Sequence, residues 1–176
     1  MRGSRLVNPQ GPTAEGWLPV NGLPVSLVTW YVPTGPVAVL ASWLAVINGR
    51  PPEVRAGCSG RLPGGEHFPV GADFAVNVPS PGQIAGLREL MQGVPVGQQL
   101  PIAARLELYP ARSIHAPLLA GCALQIECAH GRILQGNWAP ELAGDILLLH
   151  RGGLFLDPAD HPDFCALWPL RSCFPS

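Results

Sequence analysis

Charge is scarce in this 176-residue chain: Asp, Glu, Lys and Arg make up 13% of it, about half the usual share. The net charge of −1 gives nucleic acid or an anionic membrane surface nothing to bind, so neither is expected as a partner. Long apolar runs are also missing. The most apolar stretch, Val25 to Ile47, is broken by Pro33, Gly35 and Pro36, and a membrane helix needs about 18 uninterrupted residues. No apolar segment follows the basic residues of the N-terminus, so no signal peptide is read and a soluble, cytoplasmic protein is expected. The five cysteines form no C-x-x-C pair, and an odd count resists complete disulfide pairing; reduced, mostly buried thiols are expected. No G-x-S-x-G, Walker loop, H-E-x-x-H or G-x-G-x-x-G before a helix occurs. The five histidines are scattered without an i, i+4 pair, so no metal is expected; Cys128 and His130 are the least implausible ligand pair.

Glycine and proline are abundant instead, at 21 each, which favours turns and short strands over long helices. Pro24 to Tyr31 is β-branched and aromatic and reads as a strand. A turn at Pro33 to Pro36 leads into a second strand, Val37 to Trp43. Glu53 to Cys58, Asp73 to Val78, Ala123 to Cys128 and Asp145 to His150 read as further strands, with a short one near Ala104 to Tyr109. The segment from His130 to Ala143 reads as a turn at Gly131-Arg132 followed by a loop. One helix stands out: Ser80 caps it, Pro81 fits its first position, Gln83 completes a capping box, and Gly93 stops it. Its stripe of Ile84, Leu87, Leu90 and Met91 is a docking face. Residues 1–176 read as one domain with a core over about 24–156, an irregular N-terminal arm and an irregular C-terminal tail. Many short strands and one helix predict an all-β barrel with helical decoration; strand pattern alone leaves a sandwich open.

The chain is organised around Val37 to Arg61. Two strands joined through Asn48-Gly49-Arg50 and Pro51-Pro52 aim the turn Ser59-Gly60-Arg61 at one end of a sheet. Small residues, a hydroxyl and a guanidinium there suit a phosphate, although the same residues make ordinary surface turns. The order of segments, Leu27-Val28-Thr29, Ser42-Trp43, Pro51-Pro52, Ser59-Gly60-Arg61 and Phe74-Ala75-Val76-Asn77-Val78, resembles the flavin reductase-like, FMN-binding split-barrel family. That family includes flavoredoxin and the reductase components of two-component monooxygenases. Pro117-Leu118-Leu119, Leu124-Gln125-Ile126-Glu127-Cys128 and Gly144-Asp145 extend the match.

The resemblance implies a six-stranded split barrel that dimerises around FMN and moves electrons from NAD(P)H through the flavin to a small-molecule or protein acceptor. It implies Val39, Leu40, Ala41 and Ser42 beside the ring or ribityl chain, Ser59, Gly60 and Arg61 at the phosphate, and Asn77 near the site. No catalytic side chain is implied, because the cofactor carries the chemistry. Each residue also has a plainer reading: Ser42-Trp43 as core packing, Asn77 as a satisfied strand edge, Arg61 as a surface charge. Two departures stand out. Many relatives carry Asn where this chain has Val37 and His where it has Ile146, which predicts weak NAD(P)H oxidation. A non-enzymatic electron carrier and a barrel that has lost flavin to become an interaction module are the alternatives.

Overall fold

The computed structural model describes residues 26–47, 49–58, 68, 70–80, 82–83, 100–101, 106–135, 140–151 and 154–158. Ten strands lie within them: β1 (Ser26–Val32), β2 (Gly35–Ile47), β3 (Glu53–Cys58), β4 (Phe74–Val78), β5 (Leu100–Pro101), β6 (Leu108–Pro110), β7 (Pro117–Leu119), β8 (Leu124–Gln135), β9 (Pro140–Arg151) and β10 (Leu154–Leu156). Six of them close a ring. The order is β1-β4-β8-β9-β3-β2, and β2 pairs back onto β1. Every pairing in the ring is antiparallel. This is the six-stranded split barrel that the sequence predicts, with β5 added beside β2 and β10 beside β9.

Period-two alternation decides what fills the ring. Val28 and Trp30 of β1, Val37, Val39 and Ala41 of β2, Val54 and Ala56 of β3, and Phe74, Val76 and Val78 of β4 share one continuous buried cluster. Leu124, Ile126 and Cys128 of β8 and Leu142, Ile146 and Leu149 of β9 complete it. Gly144 is required within it, because a Cβ there would lie 2.4 Å from the Phe74 ring. The intervening residues of β1, β4 and β8 face outward, yet Leu27, Thr29, Ala75, Asn77, Gln125 and Glu127 are buried. The β6–β7 ribbon and its flanks cover them: Leu119 packs with Leu27 and Ala38, and Ala116 and Leu118 pack with Ala75.

Three differences from the sequence reading have local causes. β2 continues past Trp43 to Ile47 because Leu44 and Val46 keep filling the core. β8 does not turn at Gly131-Arg132 but runs on to Gln135. His130 at φ 53 and Gly131 form a bulge there, where the register on β9 slips by one residue. Gly131 N–H donates to Ala72 O and Gly71 N–H donates to Gly131 O, which anchors the bulge to the approach to β4. Cys128 and His130 part company at this point: the thiol lies in the core and the imidazole is 74% exposed beside Asp145.

The capping box at Ser80 is present: Gln83 Oε1 accepts from Ser80 N–H, and Gln83 N–H donates to Ser80 O. Gly82 and Gln83 are helical, and the remainder of the expected helix, with its apolar stripe, lies outside the described residues. So do the N-terminal arm and most of the C-terminal tail. No helix among the described residues is long and apolar enough to cross a membrane.

Candidate functional site

Strand β2 carries the first group of expected contacts and is irregular there. Ala41 pairs with Cys58 and Trp43 with Gly57, so Ser42 is an extra residue, a bulge opposite the end of β3. A bulge bends the strand and re-aims its side chains. Before it Val39 and Ala41 face inward; after it Leu44 and Val46 do. The Trp43 indole lies over Gly57, where a Cβ would stand 1.8 Å from its Nε1.

Just ahead of the bulge the ladder opens. On the side away from β1, Val37 and Ala38 pair with β5, and pairing to β3 begins at Ala41. Between them, Val39 and Leu40 have no strand partner on that side among the described residues. In an antiparallel ladder one of two successive residues directs both its N–H and its C=O to a given side. A backbone donor and acceptor therefore face this gap. The gap thus offers a polar edge in an otherwise apolar wall, which suits the rim of a planar heterocycle.

The other expected contacts divide. Leu40 faces outward and packs with Leu27, Ala38 and Leu119. Ser42 lies at the bulge, its side chain outside the described residues, as are Ser59, Gly60 and Arg61. Strand β3 nevertheless ends at Cys58, opposite Ala41 and beside the bulge. Asn77 sits across β1 from Leu40, through Leu27. It is 0% exposed, and its amide is fully engaged. Nδ2 donates to Thr29 Oγ1 at 2.9 Å and to Leu27 O at 3.3 Å, while Oδ1 accepts from Leu119 N–H at 2.8 Å. Thr29 Oγ1 in turn donates to Pro117 O at 2.6 Å. Asn77 therefore latches the β6–β7 ribbon onto the barrel.

Val37 and Ile146, the two departures, are both core residues, 5% and 1% exposed. Ile146 N–H donates to Pro52 O, which fixes β9 beside the Pro-Pro link. Around it lies a surface ion network: Glu53 pairs with Arg55 and Arg132, and Asp145 with Arg132 and His130.

A second polar centre, unmarked by any sequence motif, lies on the outer face of β8 and β9. Glu127 is 0% exposed and accepts from Arg112 N–H at 2.9 Å and Ser113 N–H at 2.6 Å. Its Oε1 also meets His150 Nε2 at 2.5 Å. Burial alone would raise this carboxyl; the hydrogen bonds from His150 and the two backbone N–H groups bring it below the usual carboxylate range. Glu127-Cys128 was legible as a strand segment, but its histidine partner is 23 residues away and shows no motif spacing. Burial pushes Cys122, on the rim of this centre, up to about 12, so it is a thiol at neutral pH. The Cys128 thiol is also raised well above its ordinary value, by burial first and nearby carboxylates second.

No family model and no curated protein matches the sequence. Solved structures do match. A flavoredoxin from Methanosarcina acetivorans is 21% identical over 73% of this chain and 68% of its own, with a TM-score of 0.59. Nitrilotriacetate monooxygenase component B from Bacillus cereus is 17% identical over 86% and 83%, with a TM-score of 0.59. An NADH:FAD oxidoreductase from Streptomyces globisporus, solved with NAD and FAD fragments, is 21% identical over 76% and 84%, with a TM-score of 0.54. With its six-stranded antiparallel ring and these likenesses, the chain has the split-barrel fold found in flavin reductases and flavoredoxins.

Proposed function

We propose that this protein binds FMN and acts as a flavin reductase-like oxidoreductase, moving electrons from NAD(P)H to a small-molecule or protein acceptor. The observation that carries the reading is the opening in the β2 ladder at Val39 and Leu40, beside the Ser42 bulge and the exit of β3. The backbone there supplies a donor and an acceptor for the edge of the ring, while Val39 and Ala41 keep the wall behind them rigid. Ser59, Gly60 and Arg61 follow directly on β3 and would hold the phosphate, with N–H groups and a cation against a dianion. When bound, FMN supplies the redox chemistry, taking up hydride and passing electrons on. The chain contributes position, apolar walls and phosphate charge. Low charge and a 47% apolar composition support a homodimer that covers the remaining apolar surface.

One observation favours a slower electron carrier over an efficient reductase. Val37 and Ile146 are buried in the core, so neither position offers a polar side chain to orient a nicotinamide for transfer. The purified protein is expected to show flavin absorption and to bleach under anaerobic conditions with NADH or NADPH, at well below about 10 s⁻¹. Rapid bleaching restores the efficient reductase. Bleaching by dithionite alone favours the carrier, and absence of flavin absorption after incubation with FMN leaves the flavin-free module.

A further inference from the structure

His150, held from beneath by the buried Glu127, lines a cleft of about 360 Å³ together with Tyr109, Arg112, Cys122, Arg151 and Phe155. This is within the size range of small-molecule sites. Four observations bear on what enters it. His150 is 9% exposed, its Nε2–H donates to the Glu127 carboxylate, and its Nδ1 has no hydrogen-bond partner among the described residues. Glu127, held by two backbone N–H groups, fixes the ring so that Nδ1 remains the basic nitrogen. Arg112 and Arg151 have no ion-pair partner among the described residues, so the wall carries two unneutralised cations. The Phe155 ring stands edge-on to His150 with the Arg112 guanidinium 4.9 Å from its centroid, and it is half exposed. Tyr109 closes the rim and donates to Gln125 Oε1 at 2.6 Å.

We infer that this cleft is a second ligand site, distinct from the flavin slot, that takes a small aromatic monoanion: an aryl carboxylate or an acidic phenol. The rings of Phe155, Tyr109 and His150 accept a planar body, and the guanidiniums accept the anionic oxygen. A neutral phenol enters by giving its O–H proton to His150 Nδ1. The imidazolium then lies between the Glu127 carboxylate and the phenolate oxygen, with Nε2–H unchanged. The charged groups facing the imidazole are Glu127 from β8, Arg112 from the turn after β6, and Arg151 from β9; Tyr109 and the Cys122 thiol are neutral. In the ring β9 is separated from β2 by β3, so occupancy does not depend on flavin.

The test is a spectrophotometric titration of the full-length protein with 4-nitrophenol, at a pH where the free compound is mainly neutral. Binding is expected to bring up the phenolate band, benzoate to displace it, and neutral nitrobenzene to bind at least tenfold more weakly. Arg112→Ala, at an exposed position, is expected to fold and to weaken binding about tenfold. His150→Gln, checked for folding by circular dichroism, is expected to abolish the bound phenolate band. Saturating FMN is expected to leave the affinity within twofold. Absence of the phenolate band in the wild type overturns the inference, as does equal binding of nitrobenzene. Unchanged affinity in Arg112→Ala, or displacement by FMN, overturns it too. The Arg112 variant keeps the question open to measurement if His150→Gln does not fold.

Discussion

Cys58 at the end of β3 pairs with Ala41 of β2, one residue before the unpaired Ser42. The stretch of β2 proposed to line the ring and the end of β3 meet at one corner of the barrel, although 17 positions separate Ala41 from Cys58 in sequence.

The phosphate contact is the first point at which this corner can be probed. Arg61→Ala would remove the proposed charge-assisted contact with the FMN phosphate, worth about 1.5–3 kcal/mol. FMN affinity is expected to fall roughly tenfold to a hundredfold, while riboflavin, which lacks the phosphate, is nearly indifferent. Equal losses for both ligands would assign Arg61 to folding instead, and no loss would leave it a surface charge.

Asn77 carries a different expectation. Its amide joins Leu27, Thr29 and Leu119 in a buried network, and Asn77→Ala leaves the Leu119 N–H without its partner. Removing one partner of a buried hydrogen bond costs about 1–3 kcal/mol. Urea unfolding is expected to register that loss; a change below about 0.5 kcal/mol would mean that the ribbon docks without the latch.

Glu127 makes stability depend on acid. Its carboxyl lies below the unfolded value of 4.5, so the unfolded chain binds the proton first as pH falls. The stability it contributes is therefore present above about 4.5 and is lost as pH drops through the lower native value. Glu127→Gln is expected to be less stable than wild type at pH 7, with the difference closing in acid. A difference that stays constant from pH 7 to pH 3 would contradict the ionised, hydrogen-bonded carboxylate.

Ile146, one of the two departures from the family pattern, stands in the core. Ile146→His would bury an imidazole without a prepared partner, a cost of about 1–3 kcal/mol. A lower melting temperature and no faster reduction by NADH are expected. A stable variant that bleaches faster would show that position 146 faces the bound flavin after all.

Much of the barrel is legible in the sequence because its strands alternate cleanly and Gly and Pro mark the breaks. β3 and β4 emerge within one residue of their expected bounds. The bulges do not emerge. At Gly131 a glycine followed by a charged residue reads as a turn, and only the pairing with Gly71 and Ala72, some 60 residues earlier, keeps the strand running. The ladder gap at Val39 and Leu40 is likewise a product of which strands arrive on either side, and side-chain pattern carries no trace of it. Glu127 and His150 meet through the β8–β9 register, in which Gln125 lies opposite His150. Neither residue has a local signature.

The proposed flavin edge would occupy the opening in β2 at Val39 and Leu40. Amide hydrogen exchange, resolved by residue and measured with and without saturating FMN, tests it most directly. New protection is expected, centred on Val39 to Ser42 and on residues 58–61, with the β8–β9 face around His150 unchanged. No protection anywhere on β2, or protection confined to the β8–β9 face, would contradict it.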